Sequence, residues 1–441
     1  KMYLYQKLLQ RIDPNNSIKI GLIGAGKFGS MFLSQVITTP GIKVIAIADL
    51  NPFKAKLNCK AVGWNDELIK DTVFFDDAIS MMENNELDVV IEATGDPLAG
   101  VINALGAIKN GIHIVMVNVE ADVLAGAELA KEARSAGVVY SMAYGDQPAL
   151  VCELVEWAHS TGFNVIAAGK GTKYLPAYHE SNPLTVWDHY GLTAEQAEES
   201  GMNSKMFNSF LDGTKSSLEM AAVSNATGLI APDQGLQFPP AGTDDLANIL
   251  RPESEGGILE NKGQVEVVSS LERDGRPVFK DLRWGVYVVI EAPNDYTAAC
   301  FRQYGMNTDD SGRYSAMYKP FHLIGLELNI SILSAALIQQ PTGVTRAFTS
   351  DVIAVSKSYL KAGRILDGEG GFSVWGKLCP AKISLQFGYL PVGLANNVKL
   401  KKDIQPNTPL KWSDINIEKS SKAIELRLKM ETKWAKNLLS I

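Results

Sequence analysis

Gly24-Ala25-Gly26-Lys27-Phe28-Gly29 is the stretch on which the fold turns. A glycine-rich hexapeptide arises easily by chance, so its neighbours decide its meaning. Apolar residues 19–23 precede it and helical spacing over 28–38 follows it, the strand, turn and helix of a dinucleotide-binding fingerprint. In that setting Gly24 permits the tight turn, Gly26 lets the backbone approach a pyrophosphate, and Gly29 packs helix against strand. Lys27 and Phe28 fall in the first helical turn, whose N–H donors and positive dipole end suit phosphate.

Outward from this loop the same alternation continues. Residues 43–48, 89–93, 113–117 and 138–141 read as strands, and 97–110 and 124–136 as helices ending at Asn110-Gly111 and Ala136-Gly137, where glycine suits a left-handed C-cap. Short apolar runs alternating with helices predict an α/β fold, with an N-terminal Rossmann doubly wound parallel sheet over residues 1–160. An acidic residue about 20 residues past the fingerprint should hold the ribose hydroxyls, and Asp49 stands there. Its carboxylate would repel the 2′-phosphate of NADP, which favours NAD, although NADP stays open because Lys54 and Lys56 follow. A turn-capping role for Asp49 is the plain alternative. Thr94 and Gly95, after the 89–93 strand, are small enough for close approach to the cofactor, and Asn118 and Glu120 would reach toward the nicotinamide. Their plain alternative is a loop turn with a helix-start carboxylate.

Composition narrows the function classes. At roughly 100 to 200 residues per domain, 441 residues predict two to four domains. Apolar residues at 46% and charged ones at 21% match a soluble globular chain. A formal charge of -7 gives no general attraction to a phosphate backbone, so no nucleic-acid partner is expected. No apolar run nears the ~20 residues of a membrane span. Residues 3–9 lack a signal peptide's h-region and cleavage site, and Cys59, Cys152, Cys300 and Cys379 stand far apart without a CxxC pair. Reduced, mostly buried thiols in a cytoplasmic protein are the expectation.

Beyond residue 160 the pattern changes. A helix over 154–160 closes the first domain, and a strand over 165–168 leads into Gly169-Lys170-Gly171. Residues 174–201, rich in Pro, His, Tyr and Trp, read as an irregular substrate-facing region. Residues 206–222 look helical, 242–276 carry turn signals and charge, and 284–291 have strong β-propensity. Residues 161–340 are thus expected to form a central α+β domain. After Pro341 come two short β-rich runs, 351–356 and 382–387, between Gly- and Pro-rich turns, and residues 416–439 alternate charge as an exposed terminal helix.

The segments Val-Met-Val-Asn-Val-Glu-Ala-Asp (115–122), Ala-Gly-Lys-Gly (168–171), Leu-Glu-Met-Ala-Ala-Val-Ser-Asn-Ala-Thr-Gly-Leu (218–229), Lys-Pro-Phe-His-Leu-Ile-Gly-Leu-Glu-Leu (319–328) and Asp-Gly-Glu-Gly-Gly-Phe-Ser-Val-Trp-Gly-Lys-Leu (367–378) resemble the homoserine dehydrogenase-like oxidoreductases that carry a C-terminal SAF domain. The resemblance runs over nearly the whole chain. It implies a Rossmann domain, a catalytic and oligomerisation domain over 161–340, a β-rich SAF-like tail over 341–441, and a homodimer acting on a small molecule. The best-known member of that group, the type II (reductoisomerase-like) 1-deoxy-D-xylulose 5-phosphate reductoisomerase, uses NADPH, and its relatives show basic or small residues where this chain has Asp49.

Hydride transfer at a hydroxyl-bearing carbon needs a group to give or take the proton on oxygen. Lys170, between two glycines, is the first choice, because burial can tune a lysine for acid–base work, and homoserine dehydrogenases use lysines in such roles. An exposed turn lysine is the plain alternative. Glu219 and Asn225 sit in an apolar run where an unpaired carboxylate would be costly, although a salt-bridged helical carboxylate would explain Glu219 as well. Lys319 would bind a substrate carboxylate or phosphate, and His322 would act as acid or base or as a helix cap. Asp146 would orient Lys170 or form a turn. A reductoisomerase would add a divalent metal, for which Asp146, Glu219 and Glu120 are the only nameable group. The expected function is an NAD(P)-dependent oxidoreductase of a small polar hydroxylated substrate. The alternatives are an NADPH reductoisomerase and, in another class, a nucleotide-binding sensor or scaffold without turnover.

Overall fold

The computed structural model describes residues 3–418 and 420–439. Two compact units divide them, each discontinuous in sequence. The first takes the described part of Lys1–Glu153 with His322–Arg346 and Lys422–Arg427, and the second Leu154–Phe321, Ala347–Ser421 and the described part of Leu428–Ile441. The three consecutive domains expected from sequence cut the chain differently, because 322–346 returns to the first unit.

Six parallel strands make the first unit's sheet: β1 (Ile18–Ile23), β2 (Ile42–Ala48), β3 (Val73–Phe75), β4 (Val89–Glu92), β5 (His113–Met116) and β6 (Tyr140–Met142), in the order β3-β2-β1-β4-β5-β6. The order reverses between β1 and β4, the switch point where ligands of open α/β sheets bind. Ile20, Leu22, Phe32, Val89, Ile91 and Val115 share one core with Leu328 and Ile332 of the returning segment, and each such side chain contributes roughly 1.5–3 kcal/mol by leaving water. The Rossmann reading is therefore borne out. Both expected glycine caps hold, with Gly111 at φ 68° and Gly137 at φ 72°. The last strand lies later than its apolar pattern implied, and the helix expected from residue 124 starts at Val119, where Asn118 caps it.

The second unit carries a mixed sheet of β7 (Asn164–Thr172), β8 (Gln264–Ser269), β9 (Val286–Glu291) and β10 (Tyr314–Lys319), in the order β10-β9-β7-β8. β7 runs parallel to β8 and antiparallel to β9. The strand expected over 165–168 continues through Gly169-Lys170-Gly171, so Lys170 stands inside a strand and not in the turn after it. The two glycines are there for close approach: a Cβ on Gly169 would lie 1.8 Å from the Glu266 carbonyl oxygen, and one on Gly171 1.9 Å from that of Leu282. β8 lies in the stretch read as turns, because Gln264, Glu266 and Ser269 disguise a strand buried along its whole length.

Other departures have local causes. Gly213, at φ 92°, splits the expected 206–222 helix into Ser204–Leu211 and Thr214–Thr227. Residues 382–387, read from sequence as a short β-rich run, form the helix Ala381–Phe387, closed by Gly388 in the left-handed region. The carboxyl-terminal part of this unit holds β11 (Ser350–Ser356), β12 (Ile365–Asp367), β13 (Val374–Pro380), β14 (Asn396–Leu400) and β15 (Ile415–Asn416), paired as β11-β13 and β12-β14-β15. The terminal helix spans Lys422–Leu438, and Lys419 of the stretch expected to form it lies outside the described residues. Among the described residues no helix is long and apolar enough to cross a membrane.

Candidate functional site

In the first unit, each glycine of the fingerprint meets a different constraint. Gly24 turns at φ 88°, and a Cβ there would come within 2.9 Å of the Ala93 carbonyl group. A Cβ on Gly29 would lie 2.2 Å from the Gly24 carbonyl oxygen, so helix Lys27–Val36 rests directly on the turn. A Cβ on Gly26 would meet nothing within 4 Å. The surrounding protein places no steric demand for glycine at that position.

Asn51, Asn65, Asp77, Asp96 and Asn118 each accept a backbone N–H at the start of their helices. Helix Lys27–Val36 begins at Gly26 without a side-chain cap, so no side chain takes up its first N–H donors at the cap. Lys27 is exposed and Phe28 half-buried.

Asp49 follows β2 directly and ties two segments together: Oδ2 accepts from Ala25 N and Oδ1 from Asn51 N, both at 2.9 Å. Asn58 supports the loop from the other side, donating to the Ala25 carbonyl at 2.7 Å. Lys54 is exposed, and Lys56 lies 5.1 Å from the centre of the Phe74 ring.

Glu92, missed in the sequence, is wholly buried at the end of β4. Its Oε1 accepts from the Thr94 hydroxyl at 2.5 Å and from Asn103 at 3.2 Å. Asn118 then donates to Thr94 Oγ1 (3.2 Å) and to the Asp96 carbonyl (2.8 Å), while its own Oδ1 accepts from Ala121 N. The loops after β4 and β5 are thereby locked together. Gly95 sits at φ 72° with open space around it, and Glu120 is buried in the first turn of helix Val119–Ser135. A buried, lone carboxyl next to apolar strands was legible only in the unusual glutamate of Val-Val-Ile-Glu.

The returning segment passes this crevice within the same unit. Gly325 (φ 78°) approaches so closely that a Cβ would lie 2.9 Å from the Phe28 carbonyl oxygen, and a Cβ on Gly145 would lie 2.7 Å from that of Leu323. Half-buried His322 precedes Leu323, and buried Asp146 follows Gly145, at that approach. Asp146 Oδ1 accepts from Gln147 N at 2.8 Å.

In the second unit Lys170, on β7, forms an ion pair with Glu219, on helix Thr214–Thr227. Lys170 is 6% exposed and Glu219 3%. Asn225, two turns further along that helix, accepts at Oδ1 from Thr349 N and Ser350 N and donates to the Ser350 carbonyl. Its carboxamide is occupied in anchoring the strand β11. Lys319 ends β10 with its ammonium 5.2 Å from the Phe321 ring centre.

A second cluster in this unit was not picked out from sequence. His179 bonds through Nδ1 to the Asp212 carbonyl (2.7 Å) and through Nε2 to the Tyr174 hydroxyl (2.9 Å), and stacks on Trp375 at 3.8 Å. Burial holds its imidazole below the usual histidine range, in keeping with a neutral ring that donates from Nδ1. Among the described residues no three His, Cys, Asp or Glu side chains gather as a metal site.

Residues 24–142 match the family model described as the NAD binding domain of homoserine dehydrogenase, and residues 145–328 match that described as the catalytic domain of oxidoreductase DRL. No curated protein matches the chain significantly. Among solved structures, a myo-inositol dehydrogenase from Lactobacillus casei in complex with NAD(H) and myo-inositol is 19% identical, over 39% of this chain and 50% of its own, at a TM-score of 0.29. Levoglucosan dehydrogenase in complex with NADH and levoglucosan is 13% identical, over 68% of this chain and 66% of its own, at 0.34. An oxidoreductase from Agrobacterium radiobacter, in complex with NAD+, L-tartaric acid and magnesium, is 16% identical over 36% of this chain and 44% of its own, at 0.27. The chain spans less than two thirds of the length of each. The fingerprint loop lies inside the first matched segment and the Lys170–Glu219 pair inside the second, so a segment matching the NAD binding domain of homoserine dehydrogenase is followed in this chain by one matching the catalytic domain of oxidoreductase DRL.

Proposed function

We propose that the chain moves a hydride between a nicotinamide dinucleotide, NAD in preference to NADP, and a hydroxyl-bearing carbon of a small polyol, sugar or sugar acid. The observation that carries this reading is the buried Lys170–Glu219 pair. A buried ammonium with a single carboxylate partner is expensive to maintain, and no packing need explains its place between two strand glycines. As the proton-transfer group, Lys170 gives its proton to the substrate oxygen in reduction and takes it back in oxidation. Glu219 orients the amine and balances its charge.

The backbone of Gly24 to Gly29, Asp49, Thr94, Gly95 and Asn118 would hold the dinucleotide. When bound, its nicotinamide supplies the hydride donor or acceptor. Asp49 supports NAD, because a 2′-phosphate would meet a carboxylate already fixed by two backbone N–H groups. Asp146 and His322 are proposed to contact substrate or its proton, and Lys319 to bind substrate. A homodimer and an SAF-like identity for 341–441 are proposed on the sequence resemblance, and a cytoplasmic location on the four separated cysteines.

Purified protein mixed with NAD or NADP and a panel of polyols, sugars, sugar acids and 1-deoxy-D-xylulose 5-phosphate tests the reading by nicotinamide absorbance. Turnover of at least one polyol, sugar or sugar acid, with kcat/KM at least about tenfold higher for NAD, is expected. Conversion of 1-deoxy-D-xylulose 5-phosphate with NADPH alone would replace the reading with a reductoisomerase.

A further inference from the structure

Glu92 is a titratable group for which hydride transfer has no use, yet it sits under the part of the sheet that serves the cofactor. It closes β4 opposite Ile23 of β1 and Met116 of β5, and the residue after Ile23 is Gly24, the first of the fingerprint. Oε1 receives two hydrogen bonds, from Thr94 and Asn103, while Oε2 has no partner of good hydrogen-bond geometry among the described residues, although the Asn118 side chain and the Thr94 N–H also favour the ionised form. No part of the residue reaches solvent. Burial outweighs these donors, so the neutral form of the carboxyl is favoured.

The surrounding charges do not reverse this preference. Tyr140 on β6 faces Glu92 and donates its hydroxyl to buried Asp122, which also receives Thr345. Glu120 and Asp122 on helix Val119–Ser135 and Asp96 at the start of helix Pro97–Lys109 are the other carboxyls on the adjoining elements, and burial raises that of Asp122. The ionisable residues of β1 and β5, Lys19 and His113, and Lys109 of helix Pro97–Lys109 stand at the far ends of those elements. Lys27 is the cation at the loop, and it is exposed. Burial pushes the Glu92 carboxyl up to about 7, where a modest change in local charge moves its proton.

We propose that Glu92 is a positioning residue that takes up a proton as the dinucleotide binds, so that cofactor affinity weakens as pH rises. A pyrophosphate at Gly24 to Gly29 brings negative charge beside β4, and like charges disfavour ionised Glu92. By reciprocity, ionised Glu92 disfavours the dinucleotide. The protonated carboxyl still accepts from Thr94 through Oε1, and Thr94 in turn fixes Asn118 and the loop after β5. The inference rests on residues 24–142 binding a nicotinamide dinucleotide.

The test is calorimetric titration of the full-length protein with NADH, whose pyrophosphate does not titrate near neutrality, from pH 6.5 to 8.5 in two buffers of different ionisation enthalpy. The wild type should take up a substantial fraction of a proton near pH 7.5, and its Kd should rise about fivefold or more over the range. The E92Q variant should bind with no proton uptake and a flat Kd, at least as tightly as the wild type at pH 8.5. Wild-type binding without proton uptake overturns the proposal, and needs no variant to fold. Equal pH slopes in both proteins also overturn it, since a purely structural role would shift Kd uniformly. Absence of NADH binding by the folded wild type rejects instead the cofactor reading underneath.

Discussion

Asp49 Oδ2 accepts the backbone N–H of Ala25 at 2.9 Å, so the acidic residue directly after β2 is bonded to the glycine-rich loop itself. The two features that sequence reading treats as separate marks of a dinucleotide site are one hydrogen-bonded assembly, with Asn51 on the other carboxylate oxygen.

Replacing Asp49 by serine should therefore act twice. Losing the two backbone bonds should lower stability by about 1 kcal/mol, and removing the carboxylate should shift the ratio of NADH to NADPH affinity by about tenfold toward NADPH. Titration of both dinucleotides with D49S checks this. An unchanged ratio would show that Asp49 caps its turn and does not select cofactor.

Gly26 and Gly29 separate ligand demands from folding demands. G29A places a methyl 2.2 Å from the Gly24 carbonyl oxygen, and should destabilise by about 2 kcal/mol or more through that clash. G26A meets open space at a φ of -75° that alanine adopts freely. It should fold within about 0.5 kcal/mol of the wild type yet lose tenfold or more in dinucleotide affinity. Thermal melts and titration distinguish the two, and unaltered binding by G26A would remove the ligand-based reason for that glycine.

Stability should also fall as pH rises from about 4.5 to 7. Burial pushes the carboxyls of Glu92 and Glu266 up to about 7, the latter despite accepting N–H groups of Gln237, Phe238 and Val267. Both exceed the unfolded value of about 4.5, so the native state binds more protons within that window and its advantage is lost across it. Above pH 7 the effect levels off. E92Q should remove its share of this slope, on the order of 3 kcal/mol at 1.36 kcal/mol per pKa unit, as read by denaturant melts at pH 5 and 8. Parallel slopes in wild type and variant would contradict it.

Much of the first unit was legible because local signals agree there. Apolar runs, asparagine and aspartate caps, and left-handed glycines all favour the same alternation of strands and helices. Lys170 was legible as a residue but not as a strand position, since flanking glycines in a sequence look like a turn while in the fold they admit the carbonyls of Glu266 and Leu282. β8 was hidden because its buried polar residues find partners only through tertiary structure, as Glu266 does with the backbone at 237 and 238. Glu92 was passed over for a similar reason: the pattern gave no hint that the partners of its carboxyl are Thr94 and Asn103.

The pair Lys357–Asp212 illustrates the same point with a stability consequence. Lys357 donates to Asp212 Oδ2 (2.8 Å) and to the carbonyls of Ser181 (2.6 Å) and Gly371 (2.8 Å), all buried. K357M leaves Asp212 and two carbonyls without that donor, and should cost about 3–5 kcal/mol, measured by denaturant unfolding. A loss under about 1 kcal/mol would mean that the pair contributes little to holding these three segments.

The most direct measurement concerns Lys170 and Glu219. The double variant K170Q/E219Q replaces a buried ion pair by neutral groups of similar size, which keeps a hydrogen bond and leaves no lone buried charge. Its melting temperature and NADH affinity should match those of the wild type, while kcat on the wild type's best substrate falls by about a thousandfold or more as the proton-transfer group is lost. A folded double variant that binds NADH and keeps kcat within about tenfold of the wild type would contradict the assignment of proton transfer to Lys170.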